Sequence, residues 1–112
     1  MNAYLFQASL LCGSCGASTR AAIRAQGKAP ADESNEHTYD SEDFPKGPYP
    51  DGGGEADRPQ HCDSCGRFLE NPLTNYGVQY VRERMAEAVA NGRKIEGCLA
   101  DWLDFYRQEL ET

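Results

Sequence analysis

The sequence predicts a small α+β zinc-ribbon fold: two Cys-x-x-Cys knuckles on a short antiparallel sheet, a long acidic loop, and a C-terminal helical hairpin. Three observations predict it. Cys12-Gly13-Ser14-Cys15-Gly16 and Cys62-Asp63-Ser64-Cys65-Gly66 repeat one pattern, Cys-x-Ser-Cys-Gly, within 112 residues. Residues 3–11 alternate apolar and polar side chains as a strand does. From residue 76 onward the apolar residues recur at helical spacing.

The repeated pair comes first because it dictates chemistry. Two residues between cysteines let a tight turn aim both sulfurs at one point about 2.3 Å from a metal ion. Two such pairs enclose one tetrahedral Zn²⁺, with Cys12, Cys15, Cys62 and Cys65 as ligands. Four protein ligands leave no open position for water, so the expected ion is structural rather than catalytic. Gly16 and Gly66, directly after each pair, offer the positive φ that closing such a turn demands.

Three other readings of the thiols compete. A redox pair would set Cys12 and Cys15 at a strand-to-helix junction, and the flanking residues are compatible with that, but the second pair is then unexplained. Disulfides fit poorly with five cysteines and an N-terminus that lacks a basic secretory region. A swapped ligand, His61 or Cys98 for one thiol, stays open. Two complete pairs make it unnecessary, which leaves His61 solvated or supporting a ligand and Cys98 as a small core side chain on a helix.

The other elements follow in order along one domain, 1–112. In 1–30, a strand over 3–11 puts Tyr4, Phe6, Ala8 and Leu10 on one face, and Ser18 caps a helix over 19–26 that Gly27 ends. Residues 31–60 are rich in Pro and Gly and read as a loop. Within 31–57 stand nine acids against Lys46 alone, a net of −8 in a chain whose total is −7, so the acidity belongs to this one segment. It also parts the knuckles by 46 residues, well beyond the roughly 15–20 of compact ribbons. That is tolerable because loop-closure entropy grows only logarithmically. In 61–75, Arg67-Phe68-Leu69 is a second strand after the second knuckle.

Residues 76–112 hold two amphipathic helices. Val78, Val81, Met85, Ala88 and Val89 form the first stripe, and Asn91-Gly92 stops it. Cys98, Leu99, Trp102, Leu103, Tyr106 and Leu110 form the second, with Trp102 in the core. An apolar strip left uncovered there would make a homodimer surface.

Composition bounds the rest. A hydrophobic content of 39% gives a small core, and mean hydropathy is −0.71, so the metal must supply much of the folding free energy. No apolar run approaches the roughly 18 residues of a membrane helix. Free thiols with zinc point to a reducing cytoplasm.

The sequence offers no catalytic set. His37 and His61 are the only histidines, and nothing pairs two carboxylates in an apolar pocket. A non-catalytic binding protein is expected, in one of two forms. In the favoured form, Tyr39, Asp40, Glu42, Asp43, Phe44 and Tyr49 dock on a basic protein surface, with aromatics set among acids. In the alternative, Arg20, Arg24, Arg67, Arg82, Arg84, Arg93 and Lys94 form a basic face for nucleic acid; a pI of 4.7 and the lack of a dense Lys/Arg cluster stand against it.

The string from Phe44 to Gly66 (Phe-Pro-Lys-Gly-Pro-Tyr-Pro-Asp-Gly-Gly-Gly-Glu-Ala-Asp-Arg-Pro-Gln-His-Cys-Asp-Ser-Cys-Gly), followed by Phe68-Leu-Glu-Asn-Pro-Leu, resembles a group of small bacteriophage and prophage proteins that have no assigned activity. With the first knuckle the resemblance covers residues 1–75, and nothing in the final helix matches. It implies a zinc-knuckle fold and a bacterial host cytoplasm; the favoured docking form then expects a host protein with a basic, nucleic-acid-binding groove as the partner to be modulated. It implies no catalytic residue.

Overall fold

A computed structural model describes residues 1–111 of the chain. The N-terminal alternation does not run as one strand. Ala3–Phe6 (β1) and Ser9–Cys12 (β2) pair antiparallel as a hairpin, with Ala3 opposite Cys12 and Phe6 opposite Ser9. Gln7 and Ala8 form the two-residue turn at φ 50° and 63°, the geometry that matches strand twist but favours Asn-Gly. The expected strand over 3–11 is therefore corrected to two strands, since neither turn residue announces itself. An Ala in left-handed backbone costs about 1–2 kcal/mol, and Gly returns about 0.5–1 kcal/mol of that as extra entropy in the unfolded chain. Ala8→Gly is thus expected to stabilise the protein by about 0.5–1 kcal/mol, read as a rise in the urea midpoint.

The third strand comes from inside the acidic segment. Lys46–Tyr49 (β3) adds antiparallel to the free edge of β1, giving the sheet order β2-β1-β3. Pro48 suits an edge position because it has no N–H to give a ladder. Residues 31–60, expected as a loop, thus hold a strand and two 3₁₀ turns, Glu36–Thr38 and Asp51–Gly53. Arg67-Phe68-Leu69 makes no strand; a lone bridge between His61 and Phe68 is all that forms there. In place of the expected ribbon of two knuckles on two strands, the sheet is built wholly from the first half of the chain.

The first helix, α1, spans Gly13–Ala25. It starts six residues earlier than expected because Cys12, not Ser18, is its cap: the Cys12 sulfur accepts the Cys15 N–H at 3.4 Å. Gly27, at φ 71°, ends it as expected. Gly16 serves contact rather than turn geometry. A Cβ there would sit 2.0 Å from Cδ2 of Tyr4, so its absence lets α1 lie directly on β1.

Arg20, on the next turns of α1, ties the acidic segment down. Its guanidinium lies between the rings of Tyr4 and Phe44, 4.8 and 4.9 Å from their centroids. It also donates to the carbonyls of Pro45 and Gly47 at 2.8 and 3.0 Å. One turn on, Arg24 grips the carboxylate of Glu33 through two nitrogens, which holds that carboxyl below the usual range.

Beyond the second cysteine pair, Thr74 caps helix α2, Asn75–Ala90, by accepting the Gly77 N–H at 3.1 Å. Asn91 and Gly92 end it as expected. The last stripe divides into α3, Cys98–Phe105, and α4, Arg107–Leu110, with the break at Tyr106. Val81, Trp102 and Tyr106 are buried together here, whereas Cys98 and Val89 are exposed, against expectation. Cys98 opens α3 at its solvent end, and Val89 lies off the packed face of α2.

The sheet, α1 and Leu69 make one core; α2, α3 and α4 make a second. The radius of gyration is 16.6 Å, against about 13 Å for a compact domain of this length. Two small cores side by side account for the excess.

Asn71 pins them together. It is fully buried: its side chain accepts from the Gln60 N–H at 2.8 Å and donates to the carbonyls of Arg58 and Pro72, while its own carbonyl accepts the Tyr106 hydroxyl at 2.5 Å. Burial drives the Tyr106 phenol well above its ordinary value. With a folded pKa above the unfolded one, the contribution is intact below about pH 10 and is lost as pH rises beyond it, because only the unfolded chain then releases the proton. Tyr106→Phe is expected to cost about 1–3 kcal/mol at neutral pH by orphaning the Asn71 carbonyl. It should also flatten the alkaline side of the stability profile, which denaturation between pH 8 and 11 would read.

Candidate metal centre

The two pairs arrive at one point by different routes. Cys12 ends β2 and caps α1, and Cys15 sits in the first helical turn. This strand-to-helix junction is the placement a redox pair would have, but the second pair is brought in beside it. Cys62 to Gly66 form a tight turn closed by Gly66 N–H to the Cys62 carbonyl at 2.8 Å and Cys62 N–H to the Arg67 carbonyl at 2.8 Å. Gly66 holds φ 79°, as expected of it.

Asp63 locks this turn to the hairpin. Its carboxylate accepts the Leu10 N–H at 3.0 Å, and its own N–H donates to the Leu10 carbonyl at 2.9 Å. Spacing alone does not reveal this contact, because Asp63 occupies the position where the first pair has Gly13.

All four sulfurs lie within 4.8 Å of one another, and Cys12 and Cys65 are 3.7 Å apart. A tetrahedron with 2.3 Å metal–sulfur bonds has edges of about 3.8 Å, whereas a disulfide needs about 2.0 Å. The four are free thiols at coordination spacing. Cys12 and Cys62 are buried, Cys15 is half-buried and Cys65 is exposed, so the cluster lies at the surface with its inner half sealed.

The surroundings shift two of the four thiols in opposite directions. Burial pushes the Cys62 thiol up, but the N–H groups of Cys12, Cys65 and Ser64 outweigh it and bring the group down to about 6. Hydrogen bonds from the Cys15 thiol to its neighbours Cys12, Cys62 and Cys65 favour its protonated form and push it up to about 12. A divalent ion binds thiolates, so any thiol proton still held at the site is released on binding.

His61 and Cys98 replace no ligand. Cys98 is far along the chain at the start of α3 and exposed, outside the cluster. His61 instead connects the knuckle to the second core. Trp102 Nε1 donates to its Nε2 at 3.0 Å, so Nδ1 carries the proton and donates to the Gly66 carbonyl at 3.1 Å.

The residues expected to bind a partner fall into two groups. Asp40, Glu42 and Asp43 are exposed. Phe44 is fully buried between Arg20 and Tyr39, and Tyr39 and Tyr49 are half-buried, donating to the Glu33 carbonyl at 3.1 Å and the Glu36 carboxylate at 2.9 Å. The aromatic half of that expected surface is corrected to internal packing. Five of the seven cations expected to form a basic face are likewise committed: Arg20 and Arg24 as above, Arg84 and Arg93 to Glu87, and Arg82 to the Glu109 carbonyl.

Fold and site together define a small α+β protein with one four-cysteine cluster at the spacing of a metal-binding centre. Comparison with family models, with curated proteins and with solved structures gives no match. Among the described residues, no helix is long and apolar enough to cross a membrane.

Proposed function

We propose that this is a non-catalytic zinc protein whose ion is structural and whose acidic surface docks on a basic protein. The four sulfurs at tetrahedral spacing carry the zinc reading: all-thiolate donors in that geometry favour Zn²⁺ among abundant divalent ions, and no ligand position is left for substrate. In the cell, on this reading, the partner is a host protein of an infected bacterium, held in the cytoplasm and modulated through the groove that otherwise binds nucleic acid.

The exposed carboxylates Asp40, Glu42 and Asp43 supply the docking charge, held on an ordered segment by Arg20 and Arg24. The pairing of Arg24, Arg84 and Arg93 with acids favours this over direct nucleic-acid binding, which needs uncompensated cations along one face. Native mass spectrometry of untagged protein should show one zinc per chain, and absence of metal would end the zinc reading. A gel shift should show no retention of DNA or RNA. Tight, steeply salt-dependent retention would overturn docking in favour of nucleic acid.

A further inference from the structure

The docking reading leaves the partner's chemistry general, and a second feature narrows it. A cleft of about 420 Å³ opens where the second knuckle meets α3, within the size range of small-ligand sites. The knuckle side contributes Arg67, Phe68 and Glu70, and α3 contributes Asp101, Asp104 and Phe105. The last three stand at i, i+3 and i+4, so they share one face of the helix.

Two properties of the cleft are unusual for plain surface. Phe105 is 44% exposed although it ends α3 between the buried Trp102 and Tyr106 in sequence. It is held edge-on to Phe68 with centroids 5.6 Å apart and to Tyr106 at 5.0 Å, so its ring is fixed rather than collapsed onto the core. Around it are three carboxylates and one guanidinium, a net of −2. Asp104 has only a long pairing with Arg107, at 3.7 Å, both largely exposed.

A metal ion does not suit these acids. Among the described residues only the four cysteines converge to coordination distance, so the carboxylates are spread around an opening. A spread acidic rim with a fixed aromatic wall suits a broad, flat cation. Guanidinium meets both demands, because it stacks on a ring while its fork donates to carboxylates, whereas an ammonium is a compact, strongly hydrated point charge.

We infer that the cleft between the second knuckle and α3 receives an arginine side chain from a basic segment of a protein partner. This rests on the reading that the partner is basic, and adds a guanidinium-specific contact to the charge-only attraction of the acidic segment. The knuckle forms one wall, so the cleft keeps its shape only while the cysteine turn is closed.

The test uses the metal-loaded full chain and two acetylated, amidated glycine-spaced peptides of equal charge, one built on arginine and one on lysine, followed by calorimetry. The arginine peptide is expected to bind about five- to tenfold more tightly. The preference should vanish in Asp101→Asn/Asp104→Asn and shrink in Phe105→Leu. It should persist in Asp40→Asn/Glu42→Gln/Asp43→Asn, which weakens both peptides alike. Metal content and circular dichroism identify any variant that fails to fold, and the two cleft variants fail by different routes. Equal affinity for both peptides, or a preference surviving in the cleft variants, overturns the arginine site and leaves the docking reading standing. Binding of neither peptide overturns both.

Discussion

Cys62→Ser, or a chelator added to the native protein, is expected to melt the N-terminal core outright. A structural zinc site supplies about 10–16 kcal/mol of apparent binding free energy in small domains, while a whole domain is stable by only about 5–15 kcal/mol. The first core is a few residues, chiefly Ala3, Leu11, Cys12, Cys62 and Leu69, and two of those five belong to the cysteine cluster. Removing one sulfur leaves three, too few to close the site, and α1 keeps its Cys12 cap but loses the partner that sealed it. Far-UV circular dichroism should lose part of its helical signal. Trp102, the sole tryptophan, should shift its emission to the red as the His61 acceptor moves away. The α2 stripe should hold longer, because Val81, Trp102 and Tyr106 pack apart from the metal. An unchanged thermal transition in chelator would show that the cysteines carry no folding energy.

Phe44→Ala should give the second large effect, a loss of about 3–5 kcal/mol, which lowers Tm by at least about 10 °C. The ring is fully buried, and its removal opens a cavity at the junction of α1, β3 and the acidic segment. It also strips one of the two rings from the Arg20 guanidinium. Neighbouring Asp43 is exposed, so Asp43→Asn should stay within about 0.5 kcal/mol of wild type. If the two substitutions behave alike in thermal unfolding, the segment is not docked as described.

Phe44 also shows where the sequence misleads. Among so many acids it reads as a surface aromatic, because the partner that buries it, Arg20, lies 24 positions away and looks like part of a basic edge. The same blindness hid β3. Lys-Gly-Pro-Tyr has the composition of a turn, and only the free edge of β1 makes it a strand. The Gln7–Ala8 turn was invisible for the opposite reason: alternation continues across it, and no Gly or Asn marks the reversal.

What was legible is what local chemistry decides. The four clustered cysteines announced themselves by a repeated pattern, and the end of α2 by Asn91-Gly92. The burial of Trp102 followed from helical spacing. The partners that hold the site in place, Asp63 against Leu10 and His61 between Gly66 and Trp102, are contacts across folded segments that no spacing encodes.

The separation of the two cysteine pairs has a consequence during synthesis. Cys15 leaves the ribosome 47 residues ahead of Cys62, an interval of roughly 2–10 s at ordinary elongation rates. Through that interval the hairpin and first helix form with a half-built centre, two thiols at a helix start and nothing opposite. The nascent chain is then most open to oxidants and to stray ions, and its safety depends on the reducing power of its surroundings rather than on its own fold.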